Sequence, residues 1–175
     1  MGTNATNERE TEPMTNPRQS PLRLPAVDPS TVPAKVGSGY PQPFAAAVAA
    51  REKRALGDAL GLSNFGVNLV RLAPGVLSSQ RHWHSRQDEF VYVVEGELVL
   101  VTDAGEQTLS AGMAAGFPAG TGDGHHLINR SDRDALYLEV GDRGAGDDVD
   151  YPDIDMLRRN VDGGPRFVRR DGTPY

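Results

Sequence analysis

The central part of the chain alternates between apolar and polar residues in short runs. From residue 65 to about residue 141, runs rich in Val, Leu, Tyr and Phe are separated by turns that contain glycine. A period of two is typical of half-buried β-strands, and many short strands at this spacing form a sandwich or a barrel. We therefore predict an all-β domain with strands at residues 67–73, 81–85, 89–96, 97–103, 107–110, 113–119, 125–129 and 136–140. Turns are predicted at Pro74-Gly75, Glu95-Gly96, Asp103-Ala104-Gly105 and Ala111-Gly112.

The sequence before this domain is polar and rich in proline. Residues 1–20 carry no apolar periodicity and are predicted to be a disordered tail, in which Met14 is an alternative start to Met1. Residues 21–64 are predicted to form an extended arm, because its recurring prolines fix φ and cannot donate to an interior sheet ladder. This arm could reach across to a second subunit.

Two further segments complete the predicted organisation. Residues 43–61 are rich in alanine and predict a short helix within the arm, with Pro43 at its start and Gly57 or Gly61 at its end. Residues 142–175 are charged and glycine-rich but keep scattered apolar residues. They are predicted to form a strap packed on the barrel of residues 65–141.

Composition limits the function classes open to this chain. Its 175 residues suffice for one domain with a hydrophobic core. A formal net charge of -6 argues against a surface that binds nucleic acid or acidic lipid. The lack of cysteine excludes disulfides, thiolate metal sites and a cysteine nucleophile. No stretch approaches the ~20 apolar residues of a membrane helix, and no secretory signal is evident, so we expect a cytoplasmic protein.

The four histidines of the chain fall in two places. His82 and His84 lie in the predicted strand RHWHS, and His125 and His126 are adjacent in the predicted strand HHLIN. Residues i and i+2 of a strand project to the same face, so His82 and His84 can present two imidazoles to one point. Glu89 shares a strand face with apolar neighbours, where a carboxylate is costly to desolvate unless it binds a cation. The set suits a first-row divalent metal.

Two stretches of the sequence carry a resemblance to a known family. Residues 75–96, GVLSSQRHWHSRQDEFVYVVEG, resemble the first cupin motif, in which a glycine precedes HxH, a glutamate and another glycine. Residues 112–129, GMAAGFPAGTGDGHHLIN, resemble the second motif. The resemblance implies a single cupin double-stranded β-helix, or jelly-roll, barrel. It also implies a metal held by His82, His84, Glu89 and a third histidine.

The second motif departs from the family pattern by a small insertion. Four residues instead of two separate Gly120 from the histidine pair, and the loop TGDG carries the extra length. The insertion leaves His125 and His126 both open as the third ligand, because neighbouring residues on a strand face opposite ways. We favour His125, whose interval to Asn129 matches the family. We expect His126 to be a hydrogen-bonding residue on the outer face.

The resemblance implies metal chemistry on a small molecule. The cofactor expected is one divalent ion, with manganese, iron, nickel and zinc as candidates, and its +1 net charge with these ligands would suit a small anionic partner. The first function class is a small metalloenzyme acting on a carboxylate, enediol or sugar phosphate, as an isomerase, a lyase or decarboxylase, or a dioxygenase. The second is a non-catalytic cupin that binds a small ligand or metal as a sensor or accessory protein.

No general base stands out in the sequence. The polar residues that could orient a substrate are Gln80, Arg71, Arg86, Tyr92 and Tyr137, and strand parity places Tyr92 outside if Glu89 is inside. A homodimer is the expected state, because edge strands of such barrels often pair with a second subunit.

Overall fold

The computed structural model describes residues 22–161 and 164–175 of the chain. The tail predicted at residues 1–20 and the question of its start lie outside the described residues. The strands are β1 (Ala34–Val36), β2 (Glu52–Ala55), β3 (Phe65–Leu72), β4 (Trp83–His84), β5 (Glu89–Glu95), β6 (Glu97–Thr102), β7 (Gly105–Ser110), β8 (Ala114–Phe117), β9 (His126–Ile128), β10 (Ala135–Asp142), β11 (Val149–Tyr151), β12 (Met156–Val161) and β13 (Gly164–Val168). Helical turns occur at Pro29–Thr31, Ala46–Val48 and, as α1, Leu56–Ala59.

The strands form antiparallel sheets that enclose one main core. A six-stranded sheet has the order β1-β2-β3-β10-β5-β8, and the other strands form a three-stranded sheet, β7-β6-β9, and a four-stranded sheet, β13-β12-β11-β4. Buried residues of β3, β5 and β10 pack against Leu98, Leu100, Leu109 and Leu127 from the three-stranded sheet. The predicted all-β cupin jelly-roll is therefore confirmed. Among the described residues, no helix is long and apolar enough to cross a membrane.

Strand β5 shows how the alternating pattern positions the site. Val91 and Val93 are buried, whereas Phe90, Tyr92 and Val94 are exposed. This is the alternation predicted from the sequence, and it directs Glu89 to the inner face together with the two valines. The tight turn that follows needs Gly96, whose φ is 78° and whose Cβ would lie 3.0 Å from the Asp134 carbonyl oxygen.

The helix predicted at residues 43–61 is not formed. The segment contains a short helical turn, then β2, then the four residues of α1. Strand β2 pairs with β1 on one side and β3 on the other, so sheet pairing overrides the helix propensity of this alanine-rich sequence. Gly61 does follow α1 with a φ of 72°, as a helix end requires. Gly57 instead lies inside α1, where an added Cβ would lie 2.9 Å from the Val67 nitrogen.

The C-terminal segment forms strands that the sequence pattern did not predict. Strand β11 pairs with β4, which carries His84, and β12 and β13 continue the same sheet. Val149, Tyr151 and Met156 form a second buried cluster, against which Tyr40 and Phe44 of the N-terminal segment pack. The segments before and after the central domain thus meet beside the histidines.

Candidate metal centre

A backbone bridge brings the two histidine clusters together. The His82 nitrogen donates to the His125 carbonyl oxygen at 3.1 Å, and the His125 nitrogen donates to the His82 carbonyl oxygen at 2.8 Å. Residues that exchange both hydrogen bonds in this way lie directly opposite each other, and the two imidazole centroids are 4.9 Å apart. The sequence predicted each cluster, and this bridge explains how they meet.

Three imidazoles converge on one carboxylate oxygen. The distances to Glu89 Oε2 are 3.5 Å from His82 Nε2, 3.4 Å from His84 Nε2 and 3.0 Å from His125 Nε2. Potential ligand atoms of His82, His84 and Glu89 all lie within 4.8 Å of one another, so this group could hold a metal ion. Imidazole nitrogen with carboxylate oxygen is a donor set that first-row divalent metals accept.

Outer hydrogen bonds orient two of the imidazoles. His82 Nδ1 lies 3.0 Å from the Gln80 carbonyl oxygen, and His84 Nδ1 lies 2.6 Å from Asp147 Oδ2. Both partners accept hydrogen bonds, so each can hold a proton on Nδ1 when Nε2 gives its lone pair to a metal. Metal-binding histidines typically have such outer partners, so the residues present fit a metal.

The third histidine, His125, is held by ring stacking rather than by a hydrogen bond to Nδ1. His125 stacks on Phe117, with ring centroids 3.5 Å apart and planes 1° from parallel, and its Nδ1 is buried without a hydrogen-bond partner among the described residues. His126 faces the other way and is half-buried. The expectation that it forms a hydrogen bond is not met at Nδ1, which has no partner in the described part of the chain. Burial lowers the pKa of His126 to about 4, so it stays neutral.

Electrostatics favour an ionised Glu89 beside the imidazoles. Burial by itself raises the pKa of Glu89, but hydrogen bonds from His125 and His82 outweigh it and hold the pKa well below its usual range. Burial lowers the pKa of His125. Burial also acts to lower the pKa of His82, yet Glu89 raises it overall, so a proton and a metal would compete for this imidazole.

The candidate ligands line a cavity of about 190 Å³ that also contains groups the sequence analysis missed. Arg51, Lys53 and Arg158 supply three positive charges, against the negative charges of Glu89 and Glu139. Tyr40 and Tyr151 also line it. Arg51, which directly precedes β2, and Lys53 of β2 were missed because their segment was interpreted as a helix. A strand interpretation would have placed Arg51 and Lys53 on one face.

An ion pair lies inside this cavity. Lys53 Nζ is 2.9 Å from Glu139 Oε1, and Asn68 Nδ2 donates to the same oxygen at 3.0 Å. Lys53, Asn68 and Glu139 lie on the neighbouring strands β2, β3 and β10. Within the described residues, Glu139 Oε2 has no hydrogen-bond partner, so one oxygen of this carboxylate is held and the other is available.

Two buried donors of the cavity also lack partners. Neither the Tyr137 hydroxyl nor Arg51 Nε has a hydrogen-bond partner among the residues described, and Tyr137 is only 1% exposed. Burial raises the pKa of Tyr137 well above its usual range, so the hydroxyl remains a donor. Buried donors without protein acceptors indicate bound water or a ligand.

Of the orienting residues predicted from the sequence, only Tyr137 lines the cavity. Tyr92 is exposed on the outer face, as parity predicted. Arg71 pairs with Glu52 and Asp134, and Gln80 Nε2 donates to the Phe44 carbonyl oxygen at 2.8 Å. The prediction that Arg71, Gln80 and Arg86 could orient a substrate is therefore not supported, because none of the three lines the cavity.

The inserted loop lies beside the candidate metal ligands. Thr121 and Asp123 line a small recess together with His84, Glu89 and His125. The Gly120 nitrogen donates to the His84 carbonyl oxygen at 2.8 Å. The insertion therefore forms one wall of a small recess beside the candidate ligands.

Comparison with known proteins agrees with this architecture. The sequence matches the family described as Cupin domain over residues 68–141. A solved structure of a sugar phosphate isomerase from a cupin superfamily, from Silicibacter pomeroyi DSS-3, is 48% identical. The match covers 86% of this chain and 96% of that chain, with a TM-score of 0.83. A comparison with curated proteins found no match.

Two more distant structures share the fold. A protein from Acidithiobacillus ferrooxidans ATCC 23270, described as a candidate sugar phosphate isomerase, is 28% identical, with 72% of this chain and 80% of that chain covered and a TM-score of 0.66. The polyketide cyclase RemF from Streptomyces resistomycificus is 22% identical, with 68% and 79% covered and a TM-score of 0.56. With its two motifs, its jelly-roll and its 48% identity to a cupin over most of both chains, the protein belongs to the cupin superfamily.

Proposed function

We propose that this protein is a metal-dependent cupin enzyme that acts on a small anionic substrate, with a sugar phosphate as the leading substrate class. The observation that carries the proposal is the convergence of three imidazole nitrogens on Glu89 Oε2 at one end of a cavity rich in cationic groups. The relative described as a sugar phosphate isomerase supports the substrate class. Decarboxylase, lyase and dioxygenase chemistry are less favoured by that relative.

The proposed metal ligands are His82, His84, Glu89 and His125. When bound, a divalent ion would act as a Lewis acid that polarises a substrate oxygen. Asp147 and the Gln80 carbonyl would keep two of the imidazoles in the tautomer that offers Nε2.

Glu139 is the proposed proton acceptor. Isomerisation of a sugar moves a proton between neighbouring carbons, which requires a base close to the substrate. Of the two carboxylates that line the cavity, Glu89 is assigned to the metal and Glu139 keeps a free oxygen. Burial raises the pKa of Tyr40, Tyr137 and Tyr151, so these hydroxyls remain donors rather than bases.

Glu139 lies on β10 between Tyr137 and the residue opposite Glu89. On β10, Gly141 lies opposite Glu89, Glu139 lies opposite Val91 and Tyr137 lies opposite Val93. A substrate with one end at the metal would therefore pass Glu139 before it reached Tyr137. A base beside the middle of such a substrate supports proton transfer between its carbons.

The experiment is a screen of hexose and pentose phosphates in D₂O, followed by proton NMR. The wild-type protein is expected to exchange a carbon-bound proton of at least one compound and to convert it into its isomer. Exchange should stop after chelator treatment and return when the metal is restored. A metal-loaded protein that binds sugar phosphates but exchanges no proton would instead support the non-catalytic ligand binder.

We also propose a homodimer formed through the outer face of the six-stranded sheet. Phe90, Tyr92 and Val94 of β5 are each at least 40% exposed. Met113 and Phe65 are also exposed apolar residues. We call these five residues the β5 patch. A cluster of exposed aromatic and aliphatic side chains is typical of an interaction surface.

The cytoplasmic location remains a prediction from the sequence.

A further inference from the structure

We propose that Arg158 of the C-terminal sheet binds the phosphate group of the substrate, which makes this segment a specificity element of the cavity. The inference rests on the proposed function for the identity of the substrate. Its structural basis is a guanidinium group that lines the cavity and has no hydrogen bond or ion pair with any described residue.

The other cationic side chains of the cavity are already engaged. Lys53 pairs with Glu139, and Arg51 donates to the carbonyl oxygens of Ser78 at 2.6 Å and Gly37 at 3.1 Å. Arg158 is therefore the cavity cation that keeps all its donors for a ligand. A planar guanidinium with a free fork of N–H groups is well suited to bind phosphate oxygens in pairs.

The register of the four-stranded sheet places Arg158 close to the candidate metal ligands. Val149 of β11 lies opposite His84 on one side and opposite Arg158 on the other. Tyr151, two residues along β11, stacks on His82 with ring centroids 5.8 Å apart. A phosphate held by Arg158 would therefore leave the rest of the substrate beside the imidazoles and Glu139.

The neighbouring residue provides a matched control. Arg159 follows Arg158 on β12 and does not line the cavity. Its guanidinium lies 3.8 Å from Asp148 Oδ2 and donates to the Val149 carbonyl oxygen at 3.4 Å. Adjacent strand residues project to opposite faces, so Arg158→Gln and Arg159→Gln remove the same charge from the same strand but on different sides.

The test is calorimetric titration of the full-length protein with inorganic phosphate, before and after chelator treatment, with metal content measured on the same samples. Arg158→Gln is expected to raise the dissociation constant about tenfold or more, Arg158→Lys to raise it less, and Arg159→Gln to leave it unchanged. All variants should retain the same metal content as the wild type.

The outcomes separate this inference from the proposed function. The inference is overturned if the wild type shows no binding at millimolar concentrations of phosphate. It is also overturned, even with the metal present, if Arg158→Gln and Arg159→Gln bind phosphate equally well. If the protein holds no metal but still binds phosphate through Arg158, the inference stands and the metalloenzyme proposal fails.

Discussion

At the residue scale, His84 illustrates how a candidate ligand is held from both sides. Its Nε2 lies 3.4 Å from Glu89 Oε2, and its Nδ1 lies 2.6 Å from Asp147, which is only 3% exposed. Strand parity and motif spacing predicted His84 and Glu89. Asp147 could not be predicted, because it lies 63 residues away from His84 along the chain and reaches the ring only through the pairing of β11 with β4.

Asp147→Asn is expected to weaken metal binding. It removes the charge that fixes the tautomer of His84, and loss of such an outer partner typically costs about 10-fold to 100-fold in affinity. Competition with a fluorescent chelator measures the effect. Asp150→Asn is the control, because Asp150 pairs with Arg170. Equal metal affinity in the two variants would contradict the role assigned to Asp147.

Glu139→Gln is expected to slow proton exchange about 100-fold while metal content stays the same. Glutamine keeps an oxygen that can accept hydrogen bonds from Lys53 and Asn68, so these contacts are largely preserved while the negative charge is removed. The measurement is deuterium incorporation into the most reactive sugar phosphate of the screen, with the thermal midpoint as a control for folding. Wild-type exchange in Glu139→Gln would exclude Glu139 as the base.

At the element scale, prediction succeeded where the hydrophobic pattern and the local pairing agree. Strand β5 and its turn at Gly96 follow from alternation and glycine conformation. Strand β2 was missed because its alanine-rich context favours a helix, whereas its two sheet neighbours decide the outcome. The short, charged strands β11 and β12 were missed because pairing with β4, rather than a long apolar run, holds them in place.

Gly57→Ala distinguishes the observed fold of this segment from the helix predicted at residues 43–61. An added Cβ would lie 2.9 Å from the backbone nitrogen of Val67, so we expect destabilisation of about 1–3 kcal/mol. A continuous helix would instead gain up to about 1 kcal/mol from the same change. Urea unfolding measures the sign. Gly144→Ala is the control, since an added Cβ there meets nothing within 4 Å.

At the scale of the whole molecule, the positive side chains of the cavity and the apolar β5 patch occupy different parts of the protein. The chain has a net charge of -6, yet the cavity lining has more positive than negative side chains. The net charge, which describes the whole chain, therefore gave no information about the charge of the cavity. Strand parity predicted that Tyr92 of the β5 patch faces outward, while the extension of the patch to Met113 and Phe65 depends on the order of strands in the sheet.

The homodimer can be tested by light scattering after size-exclusion chromatography. The wild type is expected at twice its 18.8 kDa chain mass, and Tyr92→Glu is expected to elute as a monomer because it places a charge in the β5 patch. Val161→Glu provides the control, because Val161 is similarly exposed, at 43%, but lies on β12 in another sheet. A monomeric wild type, or a dimeric Tyr92→Glu, would show that the β5 patch is not a dimer interface.

The most direct test of the metal centre is elemental analysis of protein purified without a metal-affinity step and supplied with metal during growth. The wild type is expected to hold about one divalent ion per chain, and His82→Ala and His125→Ala are expected to lose it. His126→Ala should keep the ion, because His126 faces away from Glu89. A wild type without stoichiometric metal, or His82→Ala and His125→Ala variants that both retain it, would contradict the metal centre proposed for this cupin.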